Sequence, residues 1–288
     1  MDAAFAFIGF GEAGMAFAGG APAQGYDRKT NDAGVRAAKL ADFETAGVRS
    51  CANSAEALQG MPAALCLVTA DQALIAAETA ARHLASGTLW FDMNSVAPET
   101  KRAAAAAIEG AGGRYVDVAV MAPVHRAGLA VPLVLSGPHA GDGTDFLEWL
   151  GFTNVTTIAG PVGAASSVKM IRSVMVKGIE ALTAECVLAA YAAGVEGEVI
   201  ASLDASWPGA DWSKRFDYNL DRMLVHGRRR AEEMYEVTQT LHGLGISPMM
   251  SDATVNWQQA MGELAIAPPE GLAAKIDAIQ ARRKALGA

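Results

Sequence analysis

The sequence predicts an α/β protein in which a doubly wound parallel sheet is followed by an all-α C-terminal domain. Three observations support this prediction. Short apolar runs alternate with alanine-rich helical segments as far as Pro161, which is the order of βαβ units. A glycine-rich turn directly follows the first apolar run, and after residue 161 the apolar residues keep helical spacing. We therefore expect an α/β domain over residues 1–161 and an all-helical domain over residues 162–288.

The strands of the α/β domain are predicted from its apolar runs, and the helices from the alanine-rich stretches between them. Pro98 supports the start of one helix, because a proline in the first turn removes no intrahelical hydrogen bond. The predicted strands are Ala4–Phe10, Ala23–Tyr26, Ala64–Thr69, Thr88–Met93, Tyr115–Val120 and Leu133–Ser136. The predicted helices are Ala33–Ala46, Ala73–Ser86 and Ala97–Gly110.

A long helix over Ala164–Ala193 is predicted to open the second domain. Glycines flank this segment, proline is absent from it, and its apolar residues recur at helical spacing. The later segments also lack the alternation of a strand, so the whole domain is predicted to be helical. Its further predicted helices are Trp212–Tyr235, Glu236–Leu244, Met250–Ile266 and Pro269–Ala285.

The composition narrows the kinds of partner. A formal net charge of −8 and a pI near 5.2 disfavour nucleic acid, which basic clusters bind. The three cysteines lie far apart and indicate neither a disulfide framework nor a zinc site, and a reducing cytoplasm fits them best. The start lacks the basic region of a signal peptide, and no stretch is apolar enough to span a membrane. We expect a cytoplasmic protein with a small-molecule partner and no metal.

A Gly-x-Gly-x-x-Gly pattern, formed by Gly9, Gly11 and Gly14, lies between the first strand and a helix of about two turns. Gly9 permits a tight turn, Gly11 lets a pyrophosphate approach the backbone, and Gly14 lets helix and strand pack closely. The position of the pattern therefore predicts a Rossmann-type dinucleotide site. Its cofactor-binding residues are predicted to be Gly9, Phe10, Gly11, Glu12, Ala13 and Gly14.

The end of the second strand bears on the choice between NAD and NADP. Asp27 lies 18 residues after Gly9, where a carboxylate would bind ribose hydroxyls and favour NAD. Arg28 and Lys29 follow it, and these cations would favour the 2′-phosphate of NADP. We expect a slight preference for NADP. The alternative, that both cations are solvated loop charges, is open at this stage.

Lys169 lies two turns into the long helix among apolar neighbours, where a charged side chain is unusual and requires an explanation. One explanation is catalysis, because hydride transfer from a hydroxyl carbon needs a group that takes the hydroxyl proton. Partial burial disfavours the ammonium form of a lysine and makes it a usable acid/base group. The alternative is a lysine whose stem packs on the helix while its head group reaches water.

Four segments resemble the β-hydroxyacid dehydrogenase family, which includes 3-hydroxyisobutyrate dehydrogenase, tartronate semialdehyde reductase and 6-phosphogluconate dehydrogenase. They occur in the order of the family and extend over nearly the whole chain. The segments at 169–173, 177–182 and 226–234 resemble a branch with a 6-phosphogluconate dehydrogenase-like C-terminal domain. The four segments are the glycine turn at 8–14, Phe-Asp-Met-Asn-Ser-Val-Ala-Pro-Glu-Thr at 91–100, Val-Asp-Val-Ala-Val-Met at 116–121, and the residues around Lys169.

The resemblance implies an NAD(P)-dependent oxidoreductase that acts on the CH–OH group of a β-hydroxy acid or a related compound. It implies that Lys169 is the catalytic acid/base, that Asn94 and Ser95 lie near nicotinamide and substrate, and that Thr69 lies beside the cofactor. Asp92 is expected to shape the loop of Asn94 rather than to react. A homodimer is also implied, with the helical domain serving substrate binding and dimerisation.

The chain departs from the family at three places. The segment between Gly14 and Ala23 is brief and leaves the first helix only about two turns long. Met121-Ala122-Pro123 stands where the family usually has a Ser-Gly-Gly carboxylate clamp, so we expect Met121, His125 and Arg126 to contact the substrate instead. Ser173 stands where many members have asparagine, and it is predicted to orient the substrate from one turn beyond Lys169.

Several alternatives are open on the sequence alone. An imine reductase is one, although members of that group generally have aspartate or tyrosine at the position of Lys169. A nucleotide-binding sensor without catalysis is another. His125 is an alternative acid/base or a structural residue, and Arg228–Arg230 is either an anion site or a charged helix face.

Overall fold

The structure is a computed structural model that describes residues 4–287, and its chain divides into two compact units. The first extends to Met170 and the second begins at Ile171, so the division falls inside the long helix. The boundary expected from composition lies earlier, at the proline before that helix. The strands, all in the first unit, are β1 (Phe5–Ile8), β2 (Ala23–Tyr26), β3 (Arg49–Ser50), β4 (Ala63–Cys66), β5 (Leu89–Asp92), β6 (Arg114–Val120), β7 (Leu133–Ser136) and β8 (Val155–Thr157).

One sheet contains all eight strands in the order β3-β2-β1-β4-β5-β6-β7-β8. Neighbouring strands are parallel except β6 and β7, which are antiparallel. The strand order reverses between β1 and β4, and in such sheets ligands bind at the carboxyl ends of the strands beside that point. The predicted Rossmann-type doubly wound sheet is therefore confirmed.

Helices cover both faces of this sheet. All six predicted strands and the three predicted helices are present, with ends that differ by a few residues. The elements missed are short, such as β3, or rich in glycine, as in the helix that begins at Ala140, where helix propensity is low. The helices are α1 (Glu12–Phe17), α2 (Arg36–Thr45), α3 (Ser54–Leu58), α4 (Ala73–Ala81), α5 (Pro98–Gly110), α6 (Val124–Ala127), α7 (Ala140–Trp149) and the start of α8 (Ala164–Ala192).

The core of the first unit lies on both faces of the sheet. Along β1, Phe5 and Phe7 point to one hydrophobic cluster, whereas Ala6 and Ile8 point to the other. Successive side chains of a strand alternate between faces, so a strand that is covered on both faces is apolar throughout. This is why strands such as β1 and β4 appear in the sequence as unbroken apolar runs.

The described residues of the second unit form helices joined by loops and contain no strand, as predicted. One prediction is wrong, because the segments 212–235 and 236–244 form a single helix. No glycine or proline lies near residue 235 to interrupt the backbone hydrogen bonds. The helix over residues 196–206 was not predicted. The helices after α8 are α9 (Glu196–Ser206), α10 (Trp212–Gly243), α11 (Met249–Glu263) and α12 (Leu272–Leu286).

Two features hold α8, α10 and α11 together. Gly227 and Gly262 lie where α10 and α11 approach closely, since a Cβ on Gly227 would be 2.7 Å from the amide nitrogen of Gly262. Nearby, the buried carboxylate of Glu180 accepts hydrogen bonds from Arg230 and, at 2.9 Å, from Gln258.

Among residues 4–287, no helix is long and apolar enough to cross a membrane.

Candidate functional site

The glycine turn after β1 has the shape that the sequence pattern predicts. Gly9 has a φ of +85°, and a Cβ there would lie 2.7 Å from the carbonyl oxygen of Leu67. A Cβ on Gly14 would lie 2.7 Å from the ring of Phe10. At Gly11, by contrast, a Cβ would meet no described atom within 4 Å. The first and last glycines are therefore required by packing, while the middle one leaves open space beside the backbone, which fits a dinucleotide.

Two side chains hold the turn from outside. Asp27 accepts hydrogen bonds from the backbone N–H groups of Phe10, at 2.8 Å, and Lys29, at 2.9 Å. Lys39 on α2 donates to the carbonyl oxygen of Phe10 at 2.8 Å and pairs with Asp42 at 2.6 Å. The ring of Phe10 is buried and stacks on another phenylalanine. Phe10 and Asp27 thus shape the turn, and both polar atoms of the Phe10 backbone have protein partners.

The predicted cations and the predicted threonine lie beyond β2 and β4. Arg28 and Lys29 are exposed in a short 3-10 turn that begins directly after Asp27. Thr69 is also exposed, and its hydroxyl donates to Asp71, which together with the nearby charge of Arg28 lowers the pKa of that carboxyl. Because β2 and β4 flank β1, these residues lie at the same edge of the sheet as the glycine turn.

The loop after β5 is shaped by Asp92, as the sequence predicts. The buried carboxylate of Asp92 accepts hydrogen bonds from the backbone N–H of Asn94, at 3.0 Å, and from its side-chain amide, at 2.8 Å. The amide also donates to the sulfur of Cys66 at 3.3 Å, and burial raises the pKa of that thiol to about 12. No donor within residues 4–287 reaches the buried Oδ1 of Asn94. This buried oxygen thus has acceptor capacity that no described donor uses.

Lys169 lies against this loop. Its half-buried ammonium donates a hydrogen bond to the hydroxyl oxygen of Ser95, across 74 residues of sequence. The contact brings the first turns of α8 to the carboxyl end of β5. The structure thus joins two predicted site residues that no sequence pattern places side by side.

A buried polar network lies beneath this contact. The carboxylate of Asp117 on β6 accepts hydrogen bonds from the N–H groups of Gly163 and Ser166, at 3.0 and 3.2 Å, where α8 begins. Lys101 on α5 pairs with Asp92 at 3.0 Å and with Asp117 at 3.5 Å. Tyr115 donates to Asp92 at 2.6 Å, and burial raises the pKa of its phenol well above the ordinary value. Lys101 was not predicted from the sequence, although its place on the apolar face of α5 was a usable signal.

The residues predicted to contact the substrate in place of the family's carboxylate clamp follow β6. Met121 is half-buried, and its N–H donates to a backbone carbonyl at 2.9 Å. His125 and Arg126 are exposed on the short helix α6, and His125 lies 3.3 Å from the carboxylate of Glu12 in the glycine turn. This contact shows that α6 and the glycine turn face each other at the edge of the sheet.

Two further predictions concern the second unit. Ser173 is buried there, and Lys177 donates to its hydroxyl at 3.4 Å. In the arginine cluster, Arg228 and Arg229 are exposed, whereas Arg230 is buried and pairs with Glu180. The three arginines therefore do not form one anion site. The described residues contain no group of histidine, cysteine and acidic side chains that could hold a metal ion.

Comparisons with known proteins identify two domains in the chain. Residues 4–139 match the NAD-binding domain of 6-phosphogluconate dehydrogenase, and residues 190–261 match a domain of unknown function, DUF1932. An uncharacterized 28.5 kDa protein of Methanothermus fervidus is 28% identical over 171 residues, which is 58% of this chain and 64% of that protein. The match thus spans less than two thirds of this curated relative.

Solved structures extend the comparison to the full length. A conserved hypothetical protein from Sinorhizobium meliloti is 34% identical, with a TM-score of 0.77 over 98% of this chain and 97% of its own. The conserved protein MTH1747, itself structurally similar to 3-hydroxyacid dehydrogenases, is 29% identical, with a TM-score of 0.71 over 90% of this chain and 96% of its own. A 3-hydroxyisobutyrate dehydrogenase from Mycobacterium tuberculosis shares the fold, with 14% identity and a TM-score of 0.73 over 98% of this chain and all of its own. The chain therefore combines an NAD-binding domain of the 6-phosphogluconate dehydrogenase type with DUF1932, and its structural neighbours include β-hydroxyacid dehydrogenases, which matches the family that the sequence resembles.

Proposed function

We propose that this protein is an NAD(P)-dependent oxidoreductase that transfers hydride between the nicotinamide and a hydroxy acid or the matching oxo acid, with Lys169 as the general acid/base. The observation that carries the proposal is the hydrogen bond from Lys169 to Ser95, next to the acceptor oxygen of Asn94. An amine, a hydroxyl and a carbonyl oxygen thus gather at the edge of the sheet that holds the glycine turn. These are the groups that a hydroxyl-to-carbonyl conversion needs around its substrate.

The residues divide the chemical work as follows. When bound, the nicotinamide accepts or supplies the hydride. Lys169 takes the hydroxyl proton during oxidation and returns it during reduction. Ser95 holds the ammonium in place, and Asn94 offers Oδ1 to a donor on cofactor or substrate. The backbone of Gly9–Gly14 holds the pyrophosphate, with the open space at Gly11 as the point of approach.

The preferred cofactor in this proposal is NADP. Both carboxylate oxygens of Asp27 already accept backbone N–H groups, which weakens the case for a carboxylate that binds ribose hydroxyls. Arg28 and Lys29 are exposed beside it and can pair with a 2′-phosphate. Arg28→Ala should therefore raise the Kd for NADPH at least about tenfold, or about 1.4 kcal/mol, and leave the Kd for NADH within about twofold. Equal losses for the two cofactors would contradict this assignment.

The substrate is proposed to be a small acid. In the first unit Arg126 is an exposed cation after β6, where the family's clamp is replaced, and it suits a carboxylate. His125 already has Glu12 as a neighbour and is proposed to position the glycine turn instead. Met121 remains a proposed substrate contact, and the role expected of Ser173 in the second unit stays a prediction.

The protein is further proposed to be a homodimer that works in the cytoplasm. The helix α8 exposes Ile171, Met175 and Leu182 to 49%, 64% and 60%, at spacings of four and seven residues along one side. Such an apolar row on a helix is typical of an interface. Sedimentation at micromolar concentration should give twice the chain mass, and a strict monomer would contradict the dimer.

Cofactor titration followed by turnover tests the proposal. NADPH and NADH are titrated by fluorescence, and then oxo acids, aldehydes and imines are added while the absorbance of the reduced nicotinamide is followed. We expect oxidation of NADPH with an oxo acid, and Lys169→Met should lower kcat at least about 100-fold. Lys214→Met, which removes an exposed lysine in the second unit, is the matched control. Turnover with imines alone would favour an imine reductase, and binding without any turnover would favour a sensor.

A further inference from the structure

We propose that Lys101 is a positioning residue for the Ser95–Lys169 pair. Its ammonium joins two buried carboxylates, of which Asp92 holds the loop of Ser95 and Asp117 holds the start of α8. The inference rests on the proposed function, in which Lys169 is the acid/base. Lys101 would then act on the reaction through two other side chains and not by touching the substrate.

The placement of Lys101 is unusual for a lysine. Its side chain is fully buried on α5, where Ala104, Ala105 and Ile108 share the same face of the helix. The ammonium donates to the backbone oxygen of Asp92 at 2.6 Å and to its Oδ1 at 3.0 Å. A lysine is almost never buried in this way unless its charge is paired, so these contacts fix its position.

The first carboxylate, that of Asp92, positions Ser95 in the Ser95–Lys169 pair. Oδ1 of Asp92 receives Lys101 and both N–H groups of Asn94, while Oδ2 receives the phenol of Tyr115 at 2.6 Å. The backbone of the residue directly before Ser95 is therefore tied to the carboxylate that Lys101 neutralises. A shift of Asp92 would move the hydroxyl of Ser95 with it.

The second carboxylate, that of Asp117, positions Lys169 through the start of α8. Oδ2 of Asp117 receives the N–H groups of Gly163 and Ser166 and the hydroxyl of Ser136, all within 3.2 Å. Lys169 lies one helical turn beyond Ser166. Oδ1 of Asp117 has no hydrogen-bond partner among residues 4–287, and it faces the ammonium of Lys101 at 3.5 Å. The single buried cation of this network thus stands between the two carboxylates that place Ser95 and Lys169.

The charge balance explains why one lysine controls both halves. Asp92 and Asp117 lie on adjacent strands as directly paired residues, and both are fully buried. Two carboxylates this close repel each other in a medium with little water. If Lys101 lost its charge, the repulsion would be relieved by movement of the loop, the helix start or both. The Ser95–Lys169 contact depends on both and would loosen.

The test measures the reactivity of Lys169 itself and needs no substrate. Trace acylation with acetic anhydride is followed over a range of pH by mass spectrometry, with the exposed Lys284 as an internal reference. In Lys101→Met the limiting rate at high pH for Lys169 should rise at least about fivefold, because the amine is released from Ser95. The rate for Lys284 should not change. Arg114→Met on β6, which removes an exposed ion pair with Asp142 on α7, is the control and should leave Lys169 at the wild-type rate.

A second variant keeps the test decisive if Lys101→Met does not fold. Ser136→Ala removes one donor to Asp117 and the acceptor of the Ala165 N–H, which lies 2.9 Å away. It should raise the rate for Lys169 in the same direction. Circular dichroism and the thermal midpoint establish that each variant is folded. Wild-type rates for Lys169 in the folded variants, or equal rises at Lys284, would overturn the inference.

The outcome separates this inference from the proposed function. If Lys169 is acylated faster in Lys101→Met but the wild-type protein oxidises no nicotinamide with any substrate, the positioning role of Lys101 is retained and the catalytic role of Lys169 is rejected. If the acylation rate of Lys169 is unchanged in Lys101→Met but Lys169→Met inactivates the enzyme, the catalytic role of Lys169 is retained and the positioning role of Lys101 is rejected.

Discussion

Alanine at Gly9 and alanine at Gly11 should harm the protein in different ways. Both glycines belong to the same turn, and each substitution adds one methyl group. The methyl on Gly9 would enter the fold, 2.7 Å from the carbonyl oxygen of Leu67 and 2.8 Å from a methyl of Val68. The methyl on Gly11 would meet no described atom within 4 Å, at the place proposed for the pyrophosphate.

The cost at Gly9 has three parts. A left-handed backbone with φ of +85° costs an alanine about 1–2 kcal/mol. Insertion of a methyl against a fixed backbone costs about 1–3 kcal/mol. The alanine also restricts the unfolded chain, which returns about 0.4–1 kcal/mol. Gly9→Ala should therefore lower the free energy of unfolding by about 2–4 kcal/mol, and Tm should fall by about 5–15 °C.

Gly11→Ala should leave Tm within about 2 °C, because its φ of −96° is open to alanine. Its Kd for NADPH should rise at least about tenfold. Calorimetry of the two variants and fluorescence titration of the folded one measure both effects. A Gly9 variant with wild-type stability would refute the packing argument. A Gly11 variant with wild-type affinity would place the cofactor elsewhere.

The remaining predictions concern packing and thiol chemistry. Gly227→Ala should lower the free energy of unfolding by about 2–4 kcal/mol, because the added methyl meets the backbone of α11. Gly178→Ala in α8 has room for the methyl and should be neutral or stabilising by up to about 1 kcal/mol. Calorimetry compares the two variants, and equal effects would contradict the close approach of α10 and α11 at Gly227. Native protein at pH 8 should react with a thiol reagent at the half-buried Cys186 and not at Cys66, whose thiol is neutral because burial raises its pKa to about 12. The folded state keeps the Cys66 proton that the unfolded state releases near pH 9, so this group should lower stability as the pH rises from 9 to 12. Rapid labelling of Cys66 at pH 8 without unfolding would show that the assigned burial is wrong.

The fold was predictable because its signals are local. An apolar run such as 5–8 is a strand buried on both faces, and the glycine pattern after it shows which strand begins the nucleotide-binding half. The second unit was predictable in type but not in its divisions. The helix α10 has no boundary signal near residue 235, and the sequence offered a change of composition where the structure has a continuous helix.

The candidate site was predictable where residues follow strands. Thr69, Asn94 and Met121 come after β4, β5 and β6, and the carboxyl ends of parallel strands meet at one edge. The roles within the site were less accessible. Asp27 lies where the pattern requires an acid, but its oxygens hold backbone N–H groups of the turn. Position in a motif thus predicts proximity to the glycine turn better than it predicts the partner of a side chain.

The network beneath the site could not be predicted, because each of its links joins distant parts of the chain. Asp117 and Gly163 are 46 residues apart, and Ser95 and Lys169 are 74 residues apart. The sequence does contain one unusual feature, a lysine on the apolar face of α5. Burial of its charge requires compensation by some other part of the fold. The compensation comes from two carboxylates that also hold the Asn94 loop and the start of α8. A local conflict of this kind therefore indicates that distant elements meet there, which makes Lys101 informative about the geometry of Lys169.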